Sequence, residues 1–321
     1  MNAGSCTTTH RIETPVNTVG AVSIIRVSGD DLFGPLKIRS LEVGQIRLVS
    51  LFDLDEVLIA RFDVGSVLVM PHGGIGMTRA ISNAMTDAGI GLAGSASPLD
   101  MYPEAEDLHE ARMLVALSTL QSPMGVDLLL DQPSRWRGYT DGDPCADALV
   151  LGRLMHPPLV VAMGNANIGK SSLVNALAGS SVAMVSDHAG TTRDHVGVML
   201  DLAGLAVRWV DTPGIDGGVV VGEELALVAP IIQQADIVVH AIDHADETGQ
   251  LDPRLSSLIQ PETPVLRVGV RSDLGPTTCS VDCACSSRTS EGIAELAGLI
   301  KERLVPAETL NDPRPWRFWD S

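Results

Sequence analysis

The chain has few cysteines, few basic residues and no long uninterrupted apolar run. Its five cysteines among 321 residues are too few, and an odd number, for the disulfide scaffold of a secreted protein. No apolar run is long enough to span a bilayer, and the first residues, MNAGSCTTTHR, lack the apolar core of a signal peptide. We therefore expect a cytoplasmic protein without membrane segments.

Acidic residues outnumber basic ones by 40 to 22, so the formal net charge is −18. A field of this sign repels phosphate backbones, and any contact with nucleic acid requires a local basic patch. Hydrophobic residues make up 45% of the chain, which excludes a disordered protein and supplies apolar material for two or three domains.

The pattern along the chain predicts four zones. Short apolar runs punctuated by glycines indicate a small α+β domain over residues 1–100. Good helix formers follow over 101–150, where we expect a short helical segment, broken at Pro123, and a linker. Predicted strands and helices alternate over 156–305, which is typical of an α/β domain with a mostly parallel sheet flanked by helices. A tail completes the chain over 306–321.

The sequence GNANIGKSSLVNAL, at 164–177, has the pattern of a phosphate-binding loop between a predicted strand and a predicted helix. In this setting backbone N–H groups and the helix N-terminus bind phosphate oxygens, whereas a chance glycine-rich turn is the alternative. Lys170 would reach the β and γ phosphates, and Ser171 would ligate Mg²⁺. The predicted nucleotide contacts of the loop are Gly164, Asn167, Ile168, Gly169, Lys170, Ser171 and Ser172.

Two downstream segments have the form of nucleotide-sensing switches. In SDHAGTTRD, at 186–194, Thr192 would supply a second Mg²⁺ ligand when a γ-phosphate is present. In VRWVDTPGI, at 207–215, Asp211 would hold Mg²⁺ through water, and the amide of Gly214 would sense the γ-phosphate. An isolated Asp-Thr-Pro-Gly is otherwise a simple turn.

Together the phosphate loop, AGTTRD and DTPG resemble the Era and MnmE/TrmE branch of GTPases. Two stretches before them, TPVNTVGAVSIIRVSG at 14–29 and VLVMPHGG at 67–74, resemble the N-terminal domain of the MnmE/TrmE tRNA-modification GTPases. The resemblance implies a GTPase, an enzyme that binds GTP and converts it to GDP and phosphate, and it covers most of the N-terminal domain and the G domain.

The resemblance also identifies the guanine-reading segment, with a departure. The family has Asn-Lys-x-Asp where this chain has Val270, Arg271, Ser272 and Asp273. Asp273 would accept two hydrogen bonds from guanine, but Val270 offers no amide, and Arg271 must cover the base in place of lysine. Loss of one such buried bond weakens binding by about 1–3 kcal/mol. Ser286, Ser287 and Arg288 match the last motif, which lines the base.

By the same resemblance, hydrolysis uses K⁺ beside the phosphates, and two G domains meet face to face. Asn167 matches the potassium-ligating Asn, although it could instead cap the turn. Ser186, His188 and Thr191 would complete the potassium site. Glu223 or Glu224 would position the attacking water, or simply begin a helix. The predicted catalytic set is Lys170, Thr192, Gly214, Glu223 and Glu224; the nucleotide contacts include Thr191 and Thr192.

Members of the family are longer, with a large helical domain and a Cys-x-Gly-Lys tail, so we expect an abbreviated form. The family acts on the wobble uridine of tRNA with a flavoprotein partner, and homodimers form through the G or N-terminal domains. Its N-terminal domain binds formyl-tetrahydrofolate; Arg26 matches a folate contact, but no acidic residue stands near Val69, and a solvent-facing arginine is the alternative. The rival hypothesis is an assembly or ribosome-linked switch that no longer modifies tRNA.

Three weaker signals have structural interpretations. Cys279, Cys283 and Cys285 suit buried strand positions better than a metal site, because no fourth ligand is near. His72 lacks an evident acid partner and is interpreted as a turn residue. The tail sequence PRPWRFW could stack RNA bases, or dock on its own domain to bury its tryptophans.

Overall fold

The computed structural model describes residues 8–14, 20–94, 97–140, 142–180, 197–212 and 222–319, with backbone alone at 180 and 222–224. The chain divides into two compact units, Met1–Ser118 and Thr119–Ser321. Within the described residues, no helix has both the length and the apolar character needed to cross a membrane.

The first unit is built on a six-stranded sheet in the order β3-β4-β5-β2-β1-β6. Only the β1–β6 pair is parallel among the described pairs of this sheet. The strands are β1 Thr9–Ile12, β2 Ile25–Ser28, β3 Ile46–Leu51, β4 Asp55–Ala60, β5 Ser66–Met70 and β6 Gly91–Leu92. The helices are α1 Ile75–Asp87, α2 Pro98–Met101 and α3 Leu108–Thr119.

The two faces of this sheet differ because successive side chains along a strand point to opposite sides. One face is a buried core: Ile25, Val27, Val57, Ile59, Val67 and Val69 join Ile81 and Met85 of α1, all fully buried. On the other face, Leu48 lies opposite Leu58 across the β3–β4 pair. These leucines are 58% and 44% exposed, and Ile46, two residues before Leu48, is 61% exposed. The sheet therefore has one buried face and an apolar edge region open to solvent.

The second unit contains a six-stranded sheet in the order β12-β11-β10-β7-β9-β8, parallel apart from the β8–β9 pair. The strands are β7 Leu159–Met163, β8 Val198–Leu202, β9 Leu205–Asp211, β10 Ile237–Asp243, β11 Val265–Val270 and β12 Cys283–Ala284. Every residue of β7 is buried, as a central parallel strand covered on both faces requires. The predicted α/β fold, preceded by a small α+β unit, is confirmed.

Helices complete this second unit. Those beside the sheet are α7 Lys170–Ser180, α8 Gly222–Gln233, α9 Pro253–Ser256 and α10 Ile293–Leu304. The shorter helices that precede or follow the sheet are α4 Val126–Leu130, α5 Gln132–Arg135, α6 Ala148–Gly152 and α11 Ala307–Leu310. The break expected at Pro123 is present, since α3 ends at Thr119 and a 3-10 turn covers Pro123–Gly125.

The tryptophan-rich tail packs on α5 of its own unit. The backbone N–H of Trp316 donates to Oε1 of the buried Gln132 over 2.7 Å, and Nε1 of Trp136 donates to the Trp316 carbonyl over 3.2 Å. The Trp136 and Trp319 rings lie 4.9 Å apart. Trp316 is 1% exposed, so its ring is docked on its own unit, as the second interpretation of the tail expects, and is not open for stacking on RNA bases.

The cysteines near the end of the sheet are held as thiols in apolar surroundings. Cys283 and Cys285 are buried, and burial raises their pKa values to about 11 and about 12. Cys279 is only half-buried, so the expected burial is found for Cys283 and Cys285 but not for Cys279. In the described part of the chain no three His, Cys, Asp or Glu side chains form a metal-binding group.

Candidate nucleotide-binding site

The loop between β7 and α7 has the backbone shape that phosphate binding requires. Gly164 and Gly169 have φ of +147° and +101°, values that glycine adopts without strain. A Cβ on Gly164 would lie 2.5 Å from the Ala241 carbonyl of β10, so only glycine fits there. Ile168 is buried beneath the loop, whereas Asn167 is exposed at its crest. The loop therefore presents backbone N–H groups around the start of a helix.

Lys170, the first residue of α7, folds back over this loop. Its Nζ donates to the carbonyl oxygens of Gly164, over 3.0 Å, and Asn165, over 2.9 Å. The residue is 6% exposed, and hydrogen bonds to carbonyls offset part of the cost of burying its charge. An ammonium held above the loop is placed to meet phosphate oxygens.

Two side chains with oxygen atoms, Ser171 and Asp211, meet beside the loop. The Ser171 hydroxyl donates to Oδ2 of Asp211 over 2.7 Å. Oδ1 of Asp211 is buried and has no hydrogen-bond partner among the described residues. Thr212 anchors this strand end, since its N–H and hydroxyl both donate to the Ala162 carbonyl. A buried carboxylate oxygen beside a hydroxyl fits a hard cation such as Mg²⁺.

These residues line one cleft of about 590 Å³, a volume within the range of small-molecule sites. The cleft contains the exposed side of the loop, the Ser171 and Asp211 side chains, and Arg271, which follows β11. Its lining residues are Ala166, Asn167, Gly169, Lys170, Ser171, Ser172, Asp211, Thr212 and Arg271.

The predicted base-reading residues also come together. Oδ1 of Asp273 accepts a 2.7 Å hydrogen bond from the buried Ser286 hydroxyl, and Oδ2 lies 3.6 Å from the Arg288 guanidinium. The hydrogen bond from Ser286 is the largest cause of a lowered pKa for Asp273. The Ser286 hydroxyl in turn accepts from the N–H groups of Arg288 and Thr289. Ser287, between Ser286 and Arg288 in the sequence, is half-buried. The aspartate is thus kept ionised, as an acceptor for guanine requires.

Arg271 contacts both the loop and a carboxylate that sequence reasoning missed. One NH2 group donates to the Asn167 carbonyl, and NH1 lies 3.0 Å from Oδ2 of Asp243. Asp243 ends β10, the sheet neighbour of both β7 and β11. Side chains at the carboxyl ends of adjacent parallel strands share one edge, and this signal could have identified Asp243.

Several predicted residues lie outside the described part of the chain. These are Ser186, His188, Thr191 and Thr192 of the first switch, and Gly214 of the second. Glu223 and Glu224 begin α8, where only the backbone is described. The roles assigned to all of them stay predictions.

In the first unit, Arg26 is partly exposed, but its side chain is held by polar neighbours and is not a free solvent-facing arginine. Its Nε donates to Glu13 over 2.9 Å, and its NH1 donates to Ser66 over 3.3 Å. Glu13, just after β1, thus pairs with Arg26, and this ion pair does not supply the acidic residue that the resemblance expects near Val69. The interpretation of His72 also needs correction, because its Nδ1 lies 2.7 Å from Asp55, whose other oxygen accepts the His72 backbone N–H.

Comparison with known proteins identifies the second unit. The profile of the family described as 50S ribosome-binding GTPase matches residues 159–269. These residues form a GTPase domain. The match supports the predicted resemblance to GTPases, and the matched range contains the phosphate loop, Lys170, Ser171, Asp211 and Asp243.

Curated relatives confirm the predicted resemblance to the tRNA modification GTPases named MnmE. The protein of Acidiphilium cryptum is 29% identical over 274 residues, which cover 84% of this chain and 58% of the relative. That of Burkholderia thailandensis is 32% identical over 69% of this chain and 47% of the relative. The protein of Cupriavidus metallidurans is 41% identical over 37% of this chain and 27% of the relative. The chain thus spans at most 58% of the length of these relatives.

Solved structures that match the chain include an Era complex with MgGDPNP and a segment of 16S ribosomal RNA. It is 25% identical, with a TM-score of 0.35, over 46% of this chain and 58% of the Era chain. The FeoB G domain of Methanococcus jannaschii is 22% identical, with a TM-score of 0.34, over 47% of this chain and 99% of the FeoB chain.

Proposed function

We propose that this chain binds GTP and GDP with Mg²⁺ and hydrolyses GTP. The observation that carries the proposal is the convergence of the Lys170 ammonium, the Ser171 hydroxyl and the Asp211 carboxylate on one cleft. A lysine and a hydroxyl at the end of a glycine loop, together with a carboxylate from the end of a neighbouring strand, are the groups that bind the phosphates and metal of a nucleoside triphosphate.

The described residues divide the work of binding and orientation. Loop N–H groups and Lys170 would bind the β and γ phosphates and neutralise charge that develops on them. Ser171 and Asp211 would hold Mg²⁺, which when bound stabilises negative charge on the phosphate oxygens. Asp273, kept ionised by Ser286, would accept hydrogen bonds from the two guanine N–H groups. ATP offers an acceptor and no donor at those positions, so guanine is preferred.

We further propose K⁺-assisted hydrolysis, with Asn167 as one ligand. Its exposed position on the loop supports this role. Thr191, Ser186 and His188 would complete the ligand set, Thr192 would contact Mg²⁺, Gly214 the γ-phosphate, and Glu223 or Glu224 would orient the attacking water.

For the whole protein we propose a part in tRNA modification, since the curated relatives are named tRNA modification GTPase MnmE. The flavoprotein partner is what the resemblance to that family implies. A homodimer through the first unit is supported by the apolar region of its open sheet face, Ile46, Leu48 and Leu58. Formyl-tetrahydrofolate would be held by Arg26, whose guanidinium is braced by Glu13. The alternative is a nucleotide-dependent assembly or ribosome-linked switch that no longer modifies tRNA.

The deciding experiment is hydrolysis of GTP by the purified chain in potassium and in sodium buffer, with ATP as a parallel substrate. We expect turnover of GTP, faster in potassium, and little turnover of ATP. Equal rates in both salts would contradict the potassium site while keeping the GTPase. GTP binding without turnover in either salt would favour the switch, and the absence of GTP binding would overturn the proposal.

A binding assay with tRNA and a flavin-containing tRNA-modifying partner separates the two functions. Nucleotide-dependent capture of that partner supports the modification role. Capture of ribosomal particles, without the partner or tRNA, supports the switch.

A further inference from the structure

Two residues of the cleft share an unusual backbone conformation. Asn167 in the loop and Arg271 after β11 each have φ of +59°, in the left-handed region that side chains with a Cβ disfavour. Such residues persist where surrounding contacts hold them, and they cluster at ligand clamps. Here the contact is direct, because an NH2 group of Arg271 donates to the Asn167 carbonyl.

The other end of the same guanidinium is held by Asp243, through NH1 and Oδ2 at 3.0 Å. The Asp243 side chain is 16% exposed, and it does not depend on Arg271 for its position. Its Oδ1 accepts the Ala245 N–H over 3.0 Å and lies 2.8 Å from Nδ1 of His244. Asp243 also pairs with Val270 in the parallel ladder, so carboxylate and guanidinium extend from neighbouring strand ends.

The hydrogen bond from Arg271 to the loop matters because the residue before Arg271 cannot form one with its side chain. Val270 has no side-chain donor or acceptor, and cannot tie the end of β11 to the loop. In the described residues, the hydrogen bond from the β11 end to the loop is that of Arg271. A guanidinium carries N–H donors on separate nitrogens, so NH1 and NH2 of Arg271 serve the two acceptors at once.

We propose that Asp243 is a positioning residue of the nucleotide site. Through Arg271 it holds the Asn167 carbonyl, and so the phosphate loop, in the shape that binds nucleotide. This rests on the proposed binding of GTP and GDP, and assigns Asp243 a role that the base-reading and phosphate-binding motifs do not contain. An exposed ion pair would contribute little, but Asp243 is mostly buried and Arg271 forms part of the cleft wall.

The test is a double-mutant cycle on GDP and GTP affinity, measured with a fluorescent nucleotide in the wild-type chain and in D243N, R271A and the double variant. We expect D243N to weaken binding about tenfold, mainly through faster dissociation. In the R271A background the same change should alter affinity less than about twofold, because residues in one network couple.

D312N is the matched control. Asp312 is also 16% exposed and pairs with Arg314 at 2.5 Å in the same unit, with both residues absent from the cleft lining. We expect D312N to keep wild-type nucleotide affinity. A merely structural Asp243 would lower the melting temperature of the nucleotide-free chain and leave affinity at lower temperature unchanged.

Should D243N fold poorly, R271M replaces it, because Arg271 is 40% exposed and methionine keeps an unbranched stem but offers no donor to either acceptor. R271M is expected to weaken binding at least threefold. Independent effects of D243N and R271A, or wild-type affinity in R271M, would overturn the positioning role. A wild-type chain that binds neither nucleotide would overturn the proposed function first, before any variant is compared.

Discussion

The hydroxyl of Ser171 and the carboxylate of Asp211 are joined by a 2.7 Å hydrogen bond, although 40 residues separate them in the chain. Ser171 lies in the first turn of α7 and Asp211 at the end of β9, and β9 pairs directly with β7, the strand that leads into the loop. Parallel pairing therefore brings a helix start and a strand end to the same edge of the sheet. The unpartnered Oδ1 of Asp211 lies at this edge.

The first prediction concerns Mg²⁺ at this pair. In Ser171→Ala and Asp211→Asn, we expect Mg²⁺ to lose most of its effect on GTP affinity, because each change removes an oxygen ligand or its charge. The measurement is GTP affinity with excess Mg²⁺ and with a chelator. Ser257→Ala, whose hydroxyl donates to the Arg254 carbonyl, is the control. Full Mg²⁺ dependence in both site variants would refute the assignment.

Lys170→Ala tests the phosphate loop. Loss of charge-assisted hydrogen bonds to phosphate should weaken GTP and GDP about 10- to 100-fold. Isothermal titration calorimetry measures this directly. Lys301→Ala is the control, since Lys301 pairs with Glu302 on α10. Unchanged affinity in Lys170→Ala would show that the loop does not bind the phosphates.

The pKa of Asp273 predicts how guanine binding responds to acid. Its pKa lies below the usual 3.8, chiefly because Ser286 donates to it. Guanine affinity should persist at pH values where an ordinary carboxyl is half protonated, and should fall as pH drops through the lowered pKa. In Ser286→Ala the pKa returns towards its ordinary value, so the fall should begin at higher pH.

The lowered pKa of Asp273 also determines how the stability of the fold depends on pH. A folded-state pKa below the unfolded one stabilises the fold at pH above the unfolded pKa, and that contribution is lost as pH falls through the folded value. GDP titrations across acid pH, together with denaturation of the nucleotide-free chain, would check both effects. Identical pH profiles for wild type and Ser286→Ala would contradict this account.

Trp316→Ala should destabilise the second unit by about 3–5 kcal/mol, because a fully buried ring leaves a cavity. Chemical denaturation measures the free energy of unfolding. Leu149→Ala, at an 83% exposed position, should change it by less than about 0.5 kcal/mol. A stable Trp316→Ala protein with weakened RNA binding would restore the base-stacking interpretation.

Leu48→Glu tests the proposed homodimer. A charge on the open sheet face beside Leu58 should convert a dimer to monomers, because burying an unpaired carboxylate is costly. Sedimentation velocity reports the mass in solution. Val64→Glu, at a position that is 78% exposed and outside the strands, is the control. A dimer that survives Leu48→Glu uses another surface.

Much of the nucleotide site could be predicted from sequence because its parts are local. A phosphate loop is a short run of backbone conformations that glycines and a following helix define, so Gly164, Gly169, Lys170 and Ser171 are recognisable in a single stretch. Alternation of strands and helices likewise predicts a parallel sheet.

The tertiary structure decided which distant side chains meet. Strand order brings Asp243 to Arg271, and the β1–β2 pairing brings Glu13 to Arg26. Asp55 likewise reaches His72 from another strand. None of these pairs shares a local motif; their separation in sequence carries no distance information until hydrophobic burial fixes the order and register of the strands. The amino-acid sequence by itself thus determined the loop and the fold class, whereas packing of the sheets determined which charges hold that loop in place.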